Sequence, residues 1–399
     1  MIIQPRIKGF LCITSHPAGC ARDVQNQIEH VKSVSGRGDG PKKVLIIGAS
    51  GGYGLASRIS AAFGYGAATV GVFFERPASG KRTASPGWYK TAAFTEAAKT
   101  EGLYAANING DAFSQEIKDA TCDIVERDLG QVDLVVYSLA APARQLADGS
   151  VVRSALKPIG EPFEGKTIDF NTRELRDISL EAASAEEVQD TVKVMGGEDW
   201  ELWIDALKAR NLLAPGCITT NYTYLGSEVT WPIYHHGTIG RAKEDLDRAK
   251  AALVEPMAEV GGKAYIAVMK GLVTQAASAI PGMSIYLSLL FKAMKAAGSH
   301  EGCIEQTTRL FDTQLFGGED LRLDEAGRIR MDELELAPEI QQYVADNWSA
   351  VSESNLDTLT DFDGYRHAFL ELHGFDVAGT DYETDVDPEV AIELDAGSV

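Results

Sequence analysis

Cysteine is sparse in this chain and badly placed for a scaffold role. Cys12, Cys20, Cys122, Cys217 and Cys303 are odd in number, scattered, and show no CxxC spacing. That pattern argues against a disulfide framework and fits reduced thiols in a cytosolic protein. Positive charge is scarce too: 37 Lys and Arg face 58 Asp and Glu, a formal net charge of −21. Such a field repels polyanions, so no nucleic-acid partner is expected. From His367 to Val399 lysine and arginine are missing altogether. A flexible, solubilising acidic tail is therefore expected over 379–399. The apolar run Phe10-Leu-Cys-Ile13 is too short for a signal peptide, which makes the cytoplasm the expected location. Gly271 to Phe291 is uncharged and long enough to span a bilayer. It is interrupted by Thr274, Gln275, Ser278, Pro281, Gly282, Ser284 and Ser288, so no membrane span is expected. A buried loop and helix pair lining a pocket fits it better. There are no internal repeats.

What is present is an alternation of short apolar runs and glycine turns in a chain of 399 residues, 45% apolar, enough for a large core. Lys43-Val-Leu-Ile-Ile47 reads as a buried strand and Leu55–Phe63 as a helix. Between them lies Gly48-Ala49-Ser50-Gly51-Gly52-Tyr53-Gly54, in which Gly48, Gly52 and Gly54 fill a G-x-x-x-G-x-G frame. Glycines there permit a tight turn and close backbone approach to a pyrophosphate seated on the helix N-terminus. A second strand, Ala67–Phe74, ends in Glu75, 27 residues after Gly48. A carboxylate at that position accepts hydrogen bonds from the adenosine ribose and repels a 2′-phosphate, favouring NADH over NADPH. Arg76, Lys81 and Arg82 pull the other way. The third strand, Leu103–Ile108, leads into Asn109-Gly-Asp111-Ala112, where Asp111 is either an adenine contact or an ordinary turn aspartate. The fourth, Val132–Tyr137, opens into Ser138-Leu139-Ala140-Ala141, small enough to lie beside a ribose.

Tyr234 and Lys243 stand nine residues apart in Trp231-Pro-Ile-Tyr-His-His-Gly-Thr-Ile-Gly-Arg-Ala-Lys243. A tyrosine hydroxyl can hydrogen-bond a carbonyl oxygen that gains negative charge as hydride arrives. A lysine can hold the nicotinamide ribose and lower the tyrosine pKa from about 10. At roughly 100° per residue, nine helical steps set two side chains on opposite sides of one helix. Convergence requires Tyr234 on the loop before the helix, consistent with Pro232, Gly237 and an N-cap expected at Thr238. The spacing alone is unspecific, and its meaning comes from the glycine turn upstream. His235 and His236 adjoin the tyrosine, but two adjacent histidines rarely make a metal site, and no metal is expected.

Long segments carry a resemblance. Ala62-Phe-Gly-Tyr-Gly-Ala-Ala-Thr69, Pro86-Gly-Trp-Tyr89, Asn109-Gly-Asp-Ala-Phe-Ser114, Tyr137-Ser-Leu139, Val194-Met-Gly-Gly-Glu-Asp-Trp200, Lys270-Gly-Leu-Val-Thr274 and Gly364-Tyr-Arg-His367 resemble the single-chain, NADH-dependent trans-2-enoyl reductases, distant relatives of the short-chain dehydrogenases. The resemblance runs from Met1 to about Val377. It implies Tyr234 as proton donor, Tyr224 as a substrate contact and an acyl thioester, on acyl carrier protein or coenzyme A, as substrate. It further implies NAD contacts from Gly48–Tyr53, Phe74, Glu75, Asp111, Ala112, Leu139, Ala140, Lys243, Leu272, Val273 and Thr274. The chain departs from the family where Gly282 replaces a bulkier residue and Ser284 a proline, which bears on acyl-chain preference. A carbonyl reductase and a non-catalytic NAD sensor use the same scaffold and stay open as alternatives.

The expected fold is an α/β, Rossmann-like doubly wound parallel sheet. A strand (Met1–Ile7) and a helix (Ala21–Ser33) in residues 1–40 precede a catalytic domain over 41–300. An insertion over the substrate side is expected at about 145–213, and a helical segment over 301–378 packed on the core. Arg144, Arg153, Lys157 and Lys166 are candidates for a local basic patch facing an anionic substrate. A monomer is expected.

Overall fold

The structure is a computed structural model describing residues 1–9, 11–34, 39–275, 277, 280, 282–318 and 320–397. It opens with the two-residue strands β1 (Ile7–Lys8) and β2 (Leu11–Cys12) and helix α1 (Pro17–Val34). The doubly wound part runs β3 (Lys43–Ile47), α2 (Gly52–Ile59), β4 (Ala68–Phe73), α3 (Pro86–Thr100), β5 (Ala105–Asn109), α4 (Gln115–Ile124) and β6 (Val132–Tyr137). An excursion follows: β7 (Ala143–Gln145), β8 (Val151–Arg153), the hairpin β9 (Phe163–Ile168) and β10 (Leu175–Leu180), and α5 (Ala185–Met195). The winding resumes through α6 (Glu198–Ala209), β11 (Leu213–Thr223), α7 (Thr238–Ala258) and β12 (Lys263–Val268). Last come α8 (Met283–Ala297), α9 (Cys303–Arg309), β13 (Ile329–Arg330), α10 (Pro338–Trp348), α11 (Leu356–Leu359), α12 (Phe362–Leu372) and β14 (Ala396–Gly397).

Eight strands form one parallel sheet in the order β13-β12-β11-β6-β3-β4-β5-β14. The strands are apolar on both sides because both faces are covered. Leu45, Ile47, Val70, Val72 and Val135 meet Ile117 and Ile124 of α4, Trp200 and Trp203 of α6, and Leu246 of α7. On the opposite face Val44, Ile46, Leu134 and Val136 meet Ala61, Leu310 and Phe311. The order reverses between β3 and β6, which makes the crevice at their C-terminal ends the place where this topology binds ligands. A separate apolar cluster joins α8, α10, α12 and Phe170 beside that crevice.

Several expectations are corrected here. Only Ile7 and Lys8 of the first segment are strand, paired with Leu11 and Cys12; Met1 and Arg6 make backbone bonds, to Val386 and Ile13, that do not extend into a ladder. The N-cap of α7 is Gly237, not Thr238. The Thr238 hydroxyl instead bonds the Ala155 carbonyl, and the Lys157 amide bonds Thr238 Oγ1 at 3.3 Å, tying the excursion to the helix start. Within the described part of the acidic tail, residues 379–397, several groups are tied to the core. Trp88 Nε1 donates to the Val390 carbonyl (2.7 Å) and Tyr89 Oη to the Pro388 carbonyl (2.7 Å). Beyond them Asp395 caps the Asn107 amide (2.7 Å), and Ala396–Gly397 complete the sheet edge against β5. Of the uncharged stretch, α8 is helix and packs its buried face on α10 and α12; Ser278 and Pro281 lie outside the described residues. No helix among the described residues is long and apolar enough to cross a membrane.

Candidate active site

The strand ends deliver the nucleotide-type residues to one edge. Gly48 follows β3 with φ +89°, and a Cβ there would stand 2.0 Å from the Ser138 carbonyl oxygen after β6. Gly54 is excluded from carrying a side chain in the same way, with the Gly48 carbonyl 2.0 Å from its Cβ position. The turn is thus pressed against the neighbouring strand exit, leaving the N-terminus of α2 open towards the crevice. Thr274, six residues past β12, comes to within ordinary contact of Gly52, 3.8 Å from its Cβ position. Leu272 and Val273 are buried below it, among α8 residues.

At the end of β4, Phe74 is 72% exposed, while Glu75 turns back to accept from Ser50 Oγ at 2.8 Å. Asn109 pins the Glu75 backbone, accepting from its amide (2.8 Å) and donating to its carbonyl (3.0 Å). Burial pushes the Glu75 carboxyl above the usual range, against the pull of Ser85, Ser50, Arg76 and Lys90. Asp111 shapes its own turn, its carboxylate accepting from the Phe113 amide at 3.0 Å. Buried Lys118 holds the same loop through the Ala112 (2.9 Å) and Phe113 (3.0 Å) carbonyls and is neutralised by Asp199 at 2.7 Å. Leu139 packs at the edge of the core and Ala140 is exposed.

Tyr234 lies on the loop before α7, as its spacing to Lys243 requires. The Tyr234 carbonyl accepts from the Gly240 amide at 3.0 Å, and a Cβ on Gly240 would collide with the His235 carbonyl at 1.8 Å. A glycine in the first turn therefore lets the loop fold onto the helix that carries Lys243. Tyr234 is 6% exposed and meets Tyr224 edge-on, with ring centroids 5.0 Å apart. Burial, then the nearby Glu335 carboxylate, raises the Tyr234 hydroxyl well above its ordinary pKa. Lys243 moves oppositely: burial alone pushes its ammonium down to about 8. His235 and His236 stack around Trp231, with centroids 5.6 and 5.9 Å from it.

Sequence reasoning missed Glu335, in the turn before α10. It is fully buried at 0% exposure. Its Oε1 accepts from Tyr224 Oη at 2.9 Å and from Tyr286 Oη, and its Oε2 from the Gly271 amide at 2.5 Å. Lys270 carries the opposing charge, and its carbonyl accepts from Tyr53 Oη of the glycine turn at 2.9 Å. No local signal marks Glu335, which is 111 residues from Tyr224. The basic patch is also revised. Arg144 pairs with Glu198 (2.8 Å) and Lys157 with Glu187 (2.5 Å), while Arg153 and Lys166 are exposed.

Comparison with known proteins accounts for nearly the whole chain. Residues 2–80 match the NAD(P)H binding domain of trans-2-enoyl-CoA reductase, and residues 82–316 the trans-2-enoyl-CoA reductase catalytic region. An enoyl-[acyl-carrier-protein] reductase [NADH] of Opitutus terrae is 56% identical over 98% of this chain and 99% of its own. Its counterpart in Serratia proteamaculans is 53% identical over 99% of both. Among solved structures, Treponema denticola trans-2-enoyl-CoA reductase in complex with NAD superposes with a TM-score of 0.93 at 47% identity, covering 99% of this chain and 100% of the other. A Clostridium trans-2-enoyl-CoA reductase in complex with NADH gives 0.95 at 42% identity, covering 97% and 98%.

Residues 323–386 match a family described as an enoyl reductase FAD binding domain. The side chains there do not fit a flavin. Ile340, Val344, Phe362, Tyr365 and Phe369 are consumed by packing on α8 and Phe170, with Phe170 and Phe369 centroids 4.4 Å apart. The Cβ space of Gly364 is filled by Asp361 and Lys295, and that of Gly374 by His16 and Cys20. With all three matches read alongside the full-length relatives, the chain belongs to the trans-2-enoyl-CoA and NADH-dependent enoyl-[acyl-carrier-protein] reductase family.

Proposed function

We propose that this protein reduces the trans-2 double bond of an enoyl thioester with NADH, giving the saturated acyl thioester, as in the reductive step of fatty-acid elongation. The observation that carries the reading is the buried Tyr234–Tyr224 pair at the sheet edge that also presents the glycine turn and Leu272–Thr274, in a chain 56% identical to a named NADH-dependent enoyl reductase. NADH supplies a hydride to C3 of the substrate. Tyr234, kept protonated by burial, donates a hydrogen bond to the thioester oxygen as enolate charge develops there, and the one proton the reaction consumes adds at C2 as the thioester C=O re-forms. Lys243 and the exits of β3 to β6 hold the cofactor: Gly48 to Tyr53 around the pyrophosphate, Phe74, Glu75, Asp111 and Ala112 on the adenosine side, and Leu139 and Ala140 by the ribose. Leu272, Val273 and Thr274 close the nicotinamide side, and Tyr224 borders the substrate. The acyl group rides on acyl carrier protein in this reading, because the relatives so named match at 56% identity against 47% and 42% for the coenzyme A enzymes.

Steady-state oxidation of NADH with matched acyl-carrier and coenzyme A enoyl substrates tests this directly. Enoyl-dependent oxidation is expected with both, with the higher kcat/KM on the carrier protein. NADH oxidation that fails to respond to any enoyl thioester sinks the reading.

A further inference from the structure

A carboxylate only accepts hydrogen bonds, so its surroundings dictate where neighbouring protons point. At Glu335 both tyrosine protons, from Tyr224 and Tyr286, point to Oε1, and the Gly271 amide points to Oε2. The Tyr224 oxygen is thereby left with its lone pairs, not its proton, for the space beside Tyr234. The same anchor reaches the cofactor side. Gly271 opens the Leu272–Thr274 segment, and a Cβ on Gly271 would stand 3.0 Å from Tyr224 Oη. The Lys270 carbonyl is held by Tyr53 of the glycine turn. Burying a carboxylate is expensive, and here it sits where α8, α10 and the loop after β12 could otherwise close with apolar side chains.

We propose that Glu335 is a positioning residue for the reaction: one oxygen orients Tyr224 against Tyr234, the other fixes the backbone that leads into the nicotinamide-side loop. Substrate-side and cofactor-side geometry are thus set by a single buried group. The proposal rests on the enoyl-reductase reading. Other groups facing the site are Lys270, Tyr53, Tyr286 and Tyr234, with Glu301 acting on Lys270 from α9's approach.

Glu335→Gln tests it, because a carboxamide of the same size has one accepting oxygen and cannot serve both Tyr224 and the Gly271 amide. Expected is a roughly ten- to hundred-fold fall in kcat, the scale of a lost hydrogen bond to a charged group, in a protein that remains folded by thermal melt. Tyr224→Phe is also expected to slow turnover, and the double variant to be no slower than Glu335→Gln alone, because Tyr224 has already lost its anchor there. NADH affinity, read by fluorescence titration, falls in Glu335→Gln but not in Tyr224→Phe, since only the first releases Gly271. Penalties that multiply in the double variant, or Glu335→Gln turnover within about twofold of wild type, overturn the proposal. So does wild-type turnover in Tyr224→Phe, and so does a Glu335→Gln protein that fails to fold, which would make the residue a core brace alone. A wild-type protein inert to enoyl thioesters defeats the functional reading instead. That outcome is visible before any variant is made, and NADH titration then still reports whether Glu335 holds the Gly271 loop.

Discussion

At the scale of single residues, burial sets the protonation states on which the chemistry depends. The Tyr234 hydroxyl is held protonated because burial, then the Glu335 carboxylate, raises its pKa, which is what the proposed donor role requires. Tyr234→Phe is expected to lower kcat by about two to four orders of magnitude, the scale of a lost general acid, with NADH affinity little changed; pre-steady-state kinetics beside a binding titration checks both. Lys243 carries the opposite strain. Its folded pKa of about 8 lies below the unfolded value of about 10.5, so the unfolded chain binds more protons between these values. The destabilisation is therefore fully present below pH 8 and relieved as pH rises towards 10.5. Lys243→Met should raise the melting temperature of the free enzyme at pH 7 by about 2–5 °C while abolishing turnover. A lower melting point would show that the ammonium is stabilised in place. Glu75 should penalise the 2′-phosphate of NADPH by roughly 1–3 kcal/mol, a 10- to 100-fold preference for NADH. Since burial raises its pKa, that preference should fade on acidification at a higher pH than for an exposed glutamate, and Glu75→Ala should narrow it at every pH.

Elements impose requirements that side-chain identity alone does not carry. Gly282 reads as an enlarged acyl pocket, and the space is there: a Cβ would meet Ile233 at 3.5 Å and the Lys166 carbonyl at 3.7 Å, both ordinary contacts. Its φ of +77° decides otherwise, because it starts α8 in the left-handed region. Gly282→Val should lower the melting temperature and depress four- and twelve-carbon substrates together. A selective loss on the long substrate in a stably folded variant would return Gly282 to the pocket. Ser284 likewise docks the β9–β10 hairpin onto α8, accepting from the Ile168 amide at 3.0 Å and meeting Thr167 Oγ1 at 3.1 Å. Ser284→Ala should cost about 1–2 kcal/mol and speed hydrogen exchange across 163–180.

Across the whole molecule, residues 388–397 tie the end of the chain to the core, and Ala396–Gly397 pair with β5 at the sheet edge. Arg58, buried under Phe94 and bonded to Asn107 and the Ala106 carbonyl, is pushed down to about 9 by burial, and Asp395 offsets this. Truncation after Asp387 removes that carboxylate, the Trp88 and Tyr89 acceptors and β14 together. It should lower the melting temperature by more than about 5 °C and weaken NADH binding, since β5 leads into Asp111. Unchanged melting would return the segment to the role of a loose tail. The net charge of −21 acts over longer range. With Arg144 and Lys157 already paired, long-range repulsion should dominate encounter with either anionic carrier, so kcat/KM should rise as salt increases to about 0.15 M.

The sequence by itself determined the doubly wound rhythm, the glycine turn pressed between β3 and β6, and the loop position of Tyr234. Each depends on neighbours within a few residues: apolar runs of strand length, glycines in a frame, a spacing that one helix cannot satisfy. Family resemblance, legible in long motifs, added the chemistry. Only the tertiary structure decided that Glu335 stands under Tyr224, that Ala396–Gly397 pair with β5 at the sheet edge, that Gly282 has a positive φ and that Lys118 ties the Asp111 loop to Asp199. The Lys118–Asp199, Tyr224–Glu335 and Asn107–Asp395 contacts join residues 81, 111 and 288 positions apart. Nothing local distinguishes a glutamate destined for burial from one left in water; the difference arises when packing removes the solvent and leaves two tyrosines and an amide as its partners.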